Sequence, residues 1–365
     1  MQTLHQMRHF VADHQLTQSQ LLSLIDLAKT VKAEPEKFGS VLAGKTIAML
    51  FEKPSLRTMV SFEVGIKKLG GHAINLGQQN GKLGERERTK DYAKNLSCFV
   101  DGIVARVFEH EAILELADEG SVPVVNALCD WYHPCQGLAD FVTLSEYYPD
   151  LSKVRLAYVG DSNNVSNSLM TLAATLGMDF TLICPEGHEP APHIVEQTEF
   201  LYQEVNAGNG NGKLTISHDL GLLDLPEGQQ DVIYTDTWIS MGGELDTQSN
   251  AYKTLMAKFA PYQVNHKLIQ TSGATKVMHC QPAHLEQEIT TELFDDANKS
   301  IVFQQAENRL WAQCAVLVSI FSPKLALFNQ THSGQHYTKQ TSTEPSSSEP
   351  TLSMLSKSSS TPLSV

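Results

Sequence analysis

The sequence predicts two doubly wound parallel α/β domains with an interdomain cleft, followed by a disordered C-terminal tail. Three observations carry that expectation. Short apolar runs of strand type alternate with segments of helical periodicity along most of the 365 residues. The alternation breaks near Pro149-Asp150 and then restarts. Chemically distinctive polar residues follow one apolar run after another. Strands spaced by helices imply right-handed βαβ units and parallel sheets.

Taken in order, 17–32 reads as an amphipathic helix on Leu21, Leu22, Leu24, Ile25, Leu27 and Ala28, with Thr17 and Gln20 spaced for a capping box. Strands are expected at 46–51, 72–76, 102–107 and 122–127, and helices at 56–69, 89–99, 110–119 and 137–147. The polar, Gly-rich stretch 77–88 is long enough to move over a site. In the second half, strands are expected at 154–159, 179–184, 213–217, 231–235 and 276–280. Helices there are expected at 164–176, stopped by Gly177, at 195–208, and at 307–321. The domain limits that follow are 1–149 and 150–328, with the 307–321 helix expected to pack back on the first domain. Residues 329–365 are rich in Ser, Thr and Pro, have little to bury, and read as a tail.

Composition narrows the partners. Hydrophobic residues at 41% and charged residues at 19% are those of a soluble globular chain. A net charge of −14 argues against nucleic acid or an anionic membrane as partner. No run approaches the roughly 20 apolar residues of a membrane span. Residues 1–20 carry no signal-peptide pattern, and the six cysteines include no C-x-x-C pair, so reduced thiols and a cytoplasmic location are expected. No metal is expected, because His279 and His284 lack a third ligand at zinc-like spacing. No organic cofactor is expected either. Gly160-Asp161-Ser162-Asn163-Asn164 follows a strand but lacks the second and third glycines of a dinucleotide fingerprint.

In parallel α/β sheets ligands bind beyond the carboxyl ends of the strands. The first strand is followed by Ser55, Leu56, Arg57 and Thr58, at a helix start whose free N–H groups, hydroxyls and guanidinium suit a phosphate. Taken alone, that stretch reads equally well as an ordinary turn capped by Ser55. Arg106 ends the third strand, and His133-Pro134-Cys135-Gln136 follows the fourth. The second half offers Asn164, then Asp236-Thr237-Trp238-Ile239-Ser240-Met241-Gly242, then His279-Cys280-Gln281-Pro282. Arg57, Arg106 and His133 suit a phosphate and a polarised carbonyl oxygen. Asn164, Asp236 and Ser240 suit the carboxylate and ammonium of an amino acid. Together they fit transfer of an acyl-type group from a phosphate donor to an amine.

With these residues assembled, the chain resembles the ornithine carbamoyltransferase family from the first helix to Phe321. Ser55-Leu56-Arg57-Thr58 and His133-Pro134-Cys135-Gln136 resemble its carbamoyl-phosphate motifs. The 236–242 run resembles its ornithine signature, His279-Cys280-Gln281-Pro282-Ala283 its catalytic loop, and Glu307-Asn308-Arg309 its closing helix. The resemblance implies a homotrimer, or an assembly of trimers, that transfers a carbamoyl group to L-ornithine in arginine metabolism. It implies that Ser55, Leu56, Arg57, Thr58, Arg106, His133, Gln136, Cys280, Gln281 and Arg309 hold carbamoyl phosphate. Asn164, Asp236, Ser240 and Met241 would hold ornithine, and Arg106, His133 and Cys280 would be catalytic.

Three positions depart from the family pattern: Met59 stands where a second Arg is usual, Gln281 where Leu is, and Lys82 where Gln is. At the helical period Met59 points about 200° away from Arg57. The alternatives are a weakly active or inert paralogue acting as a binding subunit, and carbamoyl transfer to a related amine such as putrescine.

Overall fold

The computed structural model describes residues 7–77, 82–208, 210–239 and 246–324. Ser240, Met241 and the 329–365 tail lie outside the described residues. The first sheet holds β1 (Thr46–Phe51), β2 (His72–Leu76), β3 (Gly102–Arg106) and β4 (Val124–Leu128), in the order β2-β1-β3-β4. The second holds β5 (Arg155–Val159), β6 (Asp179–Ile183), β7 (Leu214–Ser217), β8 (Val232–Thr235) and β9 (Lys276–His279), in the order β7-β6-β5-β8-β9. Neighbouring strands pair in parallel throughout both sheets.

Each sheet reverses its winding once, between β1 and β3 and between β5 and β8. Such switch points leave a crevice at the carboxyl ends of their strands, because the two loops diverge to opposite faces. The loops that diverge here carry Ser55 and Arg57 after β1, Arg106 at the end of β3, Asn163 and Asn164 after β5, and Asp236 after β8. The register between β3 and β4 also slips between Ala105 and Arg106, an irregularity of the kind that re-aims a side chain.

The helices are α1 (Gln18–Ala33), α2 (Leu56–Lys68), α3 (Thr89–Ser97), α4 (His110–Glu119), α5 (Pro134–Tyr147), α6 (Asn164–Leu176), α7 (Pro192–Ala207), α8 (Asn250–Phe259), α9 (His266–Ser272), α10 (Thr291–Phe294) and α11 (Val302–Phe321). The Thr17–Gln20 capping box forms at α1. The fifth helix starts earlier than its hydrophobic pattern indicates, because Pro134 occupies the first helical position and His133 the cap. The last helix begins at Val302 rather than at 307, and α8, α9 and α10 are additions to the expected elements. α11 packs on α5, α1 and α2.

Strand alternation sorts the core. On β5, Leu156 and Tyr158 join a large apolar cluster that runs from the first sheet through α5, α6 and α11. Ala157 and Val159 face a smaller cluster with Ile233, Val264 and Leu293 on the other side of the second sheet. No described helix is long and apolar enough to cross a membrane.

Gly70 closes the turn from α2 into β2 at φ 86°. A Cβ there would stand 2.3 Å from the Gly39 carbonyl oxygen. Gly70→Ala is therefore expected to cost about 1–3 kcal/mol, read as a lowered Tm, since both backbone conformation and space require glycine.

Candidate active site

The strand-end loops of both halves enclose one cleft of about 630 Å³. Its lining includes Ser55, Arg57, Arg106, His133, Gln136, Asn164, Asp236, Cys280, Gln281 and Arg309. Residues separated by more than 200 positions in sequence thus face one space, which is what parallel strands with aligned carboxyl ends produce.

On the first-half wall, Ser55 caps α2: its Oγ accepts the Thr58 N–H at 3.3 Å and lies 2.8 Å from Thr58 Oγ1. Thr58 does not line the cleft. It is buried one layer behind, where its hydroxyl oxygen accepts from Arg309. The Leu56 side chain turns outward and is 70% exposed, so only its backbone can serve the site. Arg309 also donates to Gln136 Oε1 at 3.0 Å and to His133 Nε2 at 3.1 Å. One guanidinium from α11 therefore organises three groups from α2 and α5.

Arg57, Arg106 and Arg309 converge here, and no ion pair with a carboxylate neutralises any of them among the described residues. The Nε atoms of Arg106 and Arg309 are buried without a partner. Burial, and then the charges of Arg309 and Arg57, push Arg106 down to about 9. Burial, and then Arg309 and Arg106, hold His133 well below its usual range, so the imidazole is neutral. The chemistry of this wall suits a dianion, although the chain as a whole carries a net charge of −14. Inorganic phosphate at about a hundred times its Kd is expected to add about 2.7 kcal/mol of stability. A thermal melt with and without phosphate checks it, and an unchanged Tm would contradict the seat.

On the second-half wall, Asn163 caps α6 by accepting from Val165 N and Ser166 N, and donates its amide N–H to Asp236 Oδ2 at 2.9 Å. The other Asp236 oxygen accepts from Thr237 N at 2.8 Å and from the Cys280 thiol at 3.0 Å. Asn164 donates to the Cys129 carbonyl at 2.6 Å. Burial, and then Asp236, push the Cys280 thiol up, so it is a thiol and not a thiolate nucleophile.

Asp236, His279 and Cys280 bring donor atoms within 4.8 Å of one another. Both ring nitrogens of His279 are already engaged, however: Nδ1 accepts from Gln281 N at 2.8 Å, which leaves Nε2–H to donate to Glu288 at 3.0 Å. The trio does not fit a metal, because the imidazole has no lone pair to offer. Its work is to hold the 279–281 turn, where Gln281 adopts φ 61°.

Of the departures from the family pattern, only Gln281 lines the cleft. Met59 packs against the core, with Asn75 Nδ2 at 2.9 Å from its sulfur. Lys82 pairs with Glu109 at 3.5 Å and lies over the Phe108 ring. Glu52 ties this neighbourhood together, accepting from Leu83 N at 2.6 Å and Phe108 N at 2.9 Å. The cleft also takes in Lys53, Asp130, Asn163, Tyr252, His284 and Gln287, none of which the sequence reading assigned to the site. Lys53 and Asn163 sit inside the strand-end runs and were within reach of it. Tyr252 and Gln287 follow no strand and carry no local signal.

Residues 8–146 match the carbamoyl-phosphate-binding domain of the aspartate/ornithine carbamoyltransferases, and residues 152–320 match their aspartate/ornithine-binding domain. The ornithine carbamoyltransferase of Shewanella oneidensis is 52% identical over 316 residues, covering 87% of this chain and 100% of that one. That of Moritella profunda is 49% identical, covering 86% and 99%. Among solved structures, ornithine carbamoyltransferase from Pyrococcus furiosus superposes with a TM-score of 0.78 at 39% identity, covering 86% of this chain and 97% of that one. The Thermus thermophilus enzyme gives a TM-score of 0.72 at 37% identity, covering 86% and 99%. A chain whose residues 8–146 and 152–320 match both domains, and which is 52% identical to a full-length relative, belongs to the aspartate/ornithine carbamoyltransferase family.

Proposed function

We propose that this chain transfers the carbamoyl group of carbamoyl phosphate to the δ-amine of L-ornithine, giving L-citrulline and phosphate. The observation that carries the reading is the polarity of the cleft: three guanidiniums on one wall face the Asp236–Cys280 pair on the other. Arg57, Arg309 and the α2 amides hold the phosphate, with Ser55, Leu56 and Gln136 completing its seat. Arg106 and the neutral His133 hold the carbamoyl oxygen, and Thr58 steadies Arg309 from behind the wall. Asp236 binds the α-ammonium of ornithine, and Asn164, Ser240 and Met241 complete the acceptor seat. Cys280 and the backbone at Gln281 position the δ-amine.

In the reaction, the neutral δ-nitrogen attacks the carbamoyl carbon and the carbonyl electrons move onto oxygen. Arg106 and its neighbours stabilise the oxyanion as it forms. The C–O bond to phosphate then breaks, and the departing phosphate takes the proton that the amine sheds. An ammonium has no lone pair, so turnover rises with pH as the δ-amine deprotonates.

On this reading residues 1–149 form the carbamoyl-phosphate half and 150–328 the ornithine half. A homotrimer is supported by the apolar face that α2 and β2 leave open, where Leu56, Val60, Val64 and Ile74 are all exposed. Six unpaired cysteines support a cytoplasmic setting. An acceptor panel tests the reading. Purified protein is expected to carbamoylate L-ornithine, and to act far more slowly on putrescine, which keeps both amines but lacks the carboxylate that the acceptor wall would hold. Equal rates on both would overturn the acceptor assignment.

A further inference from the structure

Behind the cleft lies a carboxyl group that faces neither wall. Asp140 is fully buried on α5, one turn after Gln136. Its Oδ1 accepts from Gln136 Nε2 at 2.7 Å and from Gln305 Nε2 at 2.8 Å, and its Oδ2 accepts from Tyr234 Oη at 3.0 Å. Gln305 and Arg309 lie one turn apart on α11, just as Gln136 and Asp140 do on α5, so the two helices pair 136 with 309 and 140 with 305.

Two arms leave this junction. Through Gln136 it reaches Arg309, and with it Thr58 and His133 of the dianion wall. Through Gln305 it reaches the acceptor wall, because Gln305 Oε1 accepts the His279 N–H at 3.0 Å, immediately before Cys280. Tyr234 adds a third connection: it sits on β8 two residues before Asp236 and also receives Gln305 Nε2 at 2.9 Å. Burial pushes the Asp140 carboxyl up to about 7, against the pull of bonds from Gln136, Gln305 and Tyr234. An apolar residue would fill this space without that cost, so the acceptor oxygens are what the position supplies.

We propose that Asp140, with Gln305, is a positioning pair that couples the carbamoyl-phosphate wall to the acceptor loop, so that filling the first seat sets the geometry of the second. The inference rests on the functional reading above. When phosphate oxygens draw Arg309 and Gln136 into the cleft, the shift passes to Asp140. Gln305 then carries it to the backbone at His279 and to Cys280.

The test is a coupling measurement on the purified full chain. L-norvaline, which is ornithine without its δ-amine, is titrated calorimetrically with and without carbamoyl phosphate. Wild type is expected to bind norvaline about tenfold tighter in the presence of carbamoyl phosphate, within the usual range of such couplings. Gln305→Met cuts the acceptor arm alone. It is expected to reduce the enhancement to less than about twofold while carbamoyl-phosphate affinity stays within about twofold of wild type. Tyr234→Phe, a milder cut, is expected to reduce the enhancement about threefold. Asp140→Asn keeps an acceptor oxygen toward the glutamines and is expected to retain most of it.

Asn308→Ala controls for loosening of the same helix pair: Asn308 bonds Thr143 at 3.1 Å one turn further along. It is expected to lower Tm and leave the coupling intact. Undiminished coupling in Gln305→Met and Tyr234→Phe overturns the inference, as does equal loss in Asn308→Ala. So does a wild type that makes citrulline without any coupling. A wild type that neither binds carbamoyl phosphate nor makes citrulline overturns the functional reading itself.

Discussion

Arg106→Leu is expected to lower citrulline formation by about a thousandfold, the upper end of what the loss of one oxyanion donor costs. Arg106 is 2% exposed at the slipped end of β3, which fixes its guanidinium at the carboxyl end of the strand. The same substitution is expected to leave Tm unchanged or raised, an outcome that separates chemistry from folding. The sign follows from the environment. Burial and two neighbouring guanidiniums lower the folded-state value to about 9, so the charged form opposes folding at every pH below that. The penalty fades only as pH rises from 9 toward the unfolded value, and removing the charge at neutral pH relieves it. Turnover assays paired with thermal melts decide the matter. Activity within about tenfold of wild type would show that Arg106 is not on the reacting oxygen.

Asp236→Asn is expected to raise the KM for L-ornithine by about a hundredfold or more while carbamoyl-phosphate binding changes little, since it leaves the substrate ammonium without its carboxylate. Two local consequences make the change legible. The incoming amide N–H₂ cannot accept as the carboxylate does from Asn163 Nδ2, Thr237 N and the Cys280 thiol at once. Cys280, held up by burial and then by Asp236, is expected to titrate lower, which a pH series of thiol alkylation would detect. If KM for ornithine stays near wild type while the thiol shifts, Asp236 holds the loop and not the substrate.

Much of this site is legible from sequence because parallel sheets impose a rule: an apolar run of strand type ends, and the residues that follow face the ligand. Ser55, Arg57, Arg106, Asn164, Asp236 and Cys280 all obey it and line the cleft. Where the reading fell short, local pattern and tertiary demand diverge. His133-Pro134 reads as a loop because proline ends helices, yet proline at a first helical position starts one, and His133 becomes the cap. Thr58 reads as a ligand but is buried behind the wall, where it accepts from Arg309.

Leu56 reads as part of the seat because its motif neighbours are, although its side chain points to solvent. Gln305 was hidden because α11 starts at Val302, five residues before its expected start. The Gln136–Arg309 and Asp140–Gln305 bonds join positions 173 and 165 residues apart, and no local pattern can announce them. α9 has 7 residues and α10 has 4, too few for a helical period to show, whereas α8 carries one on Tyr252, Leu255, Met256 and Phe259 that the reading passed over.

Carbamoyl phosphate labelled with ¹³C, incubated with L-ornithine and purified protein and followed by ¹³C NMR, tests the central claim most directly. The label is expected to appear in the ureido carbon of citrulline, with phosphate released in equal amount and the rate rising with pH as the δ-amine loses its proton. Label that reaches only the products of spontaneous carbamoyl-phosphate breakdown, at the rate seen without protein, would contradict it.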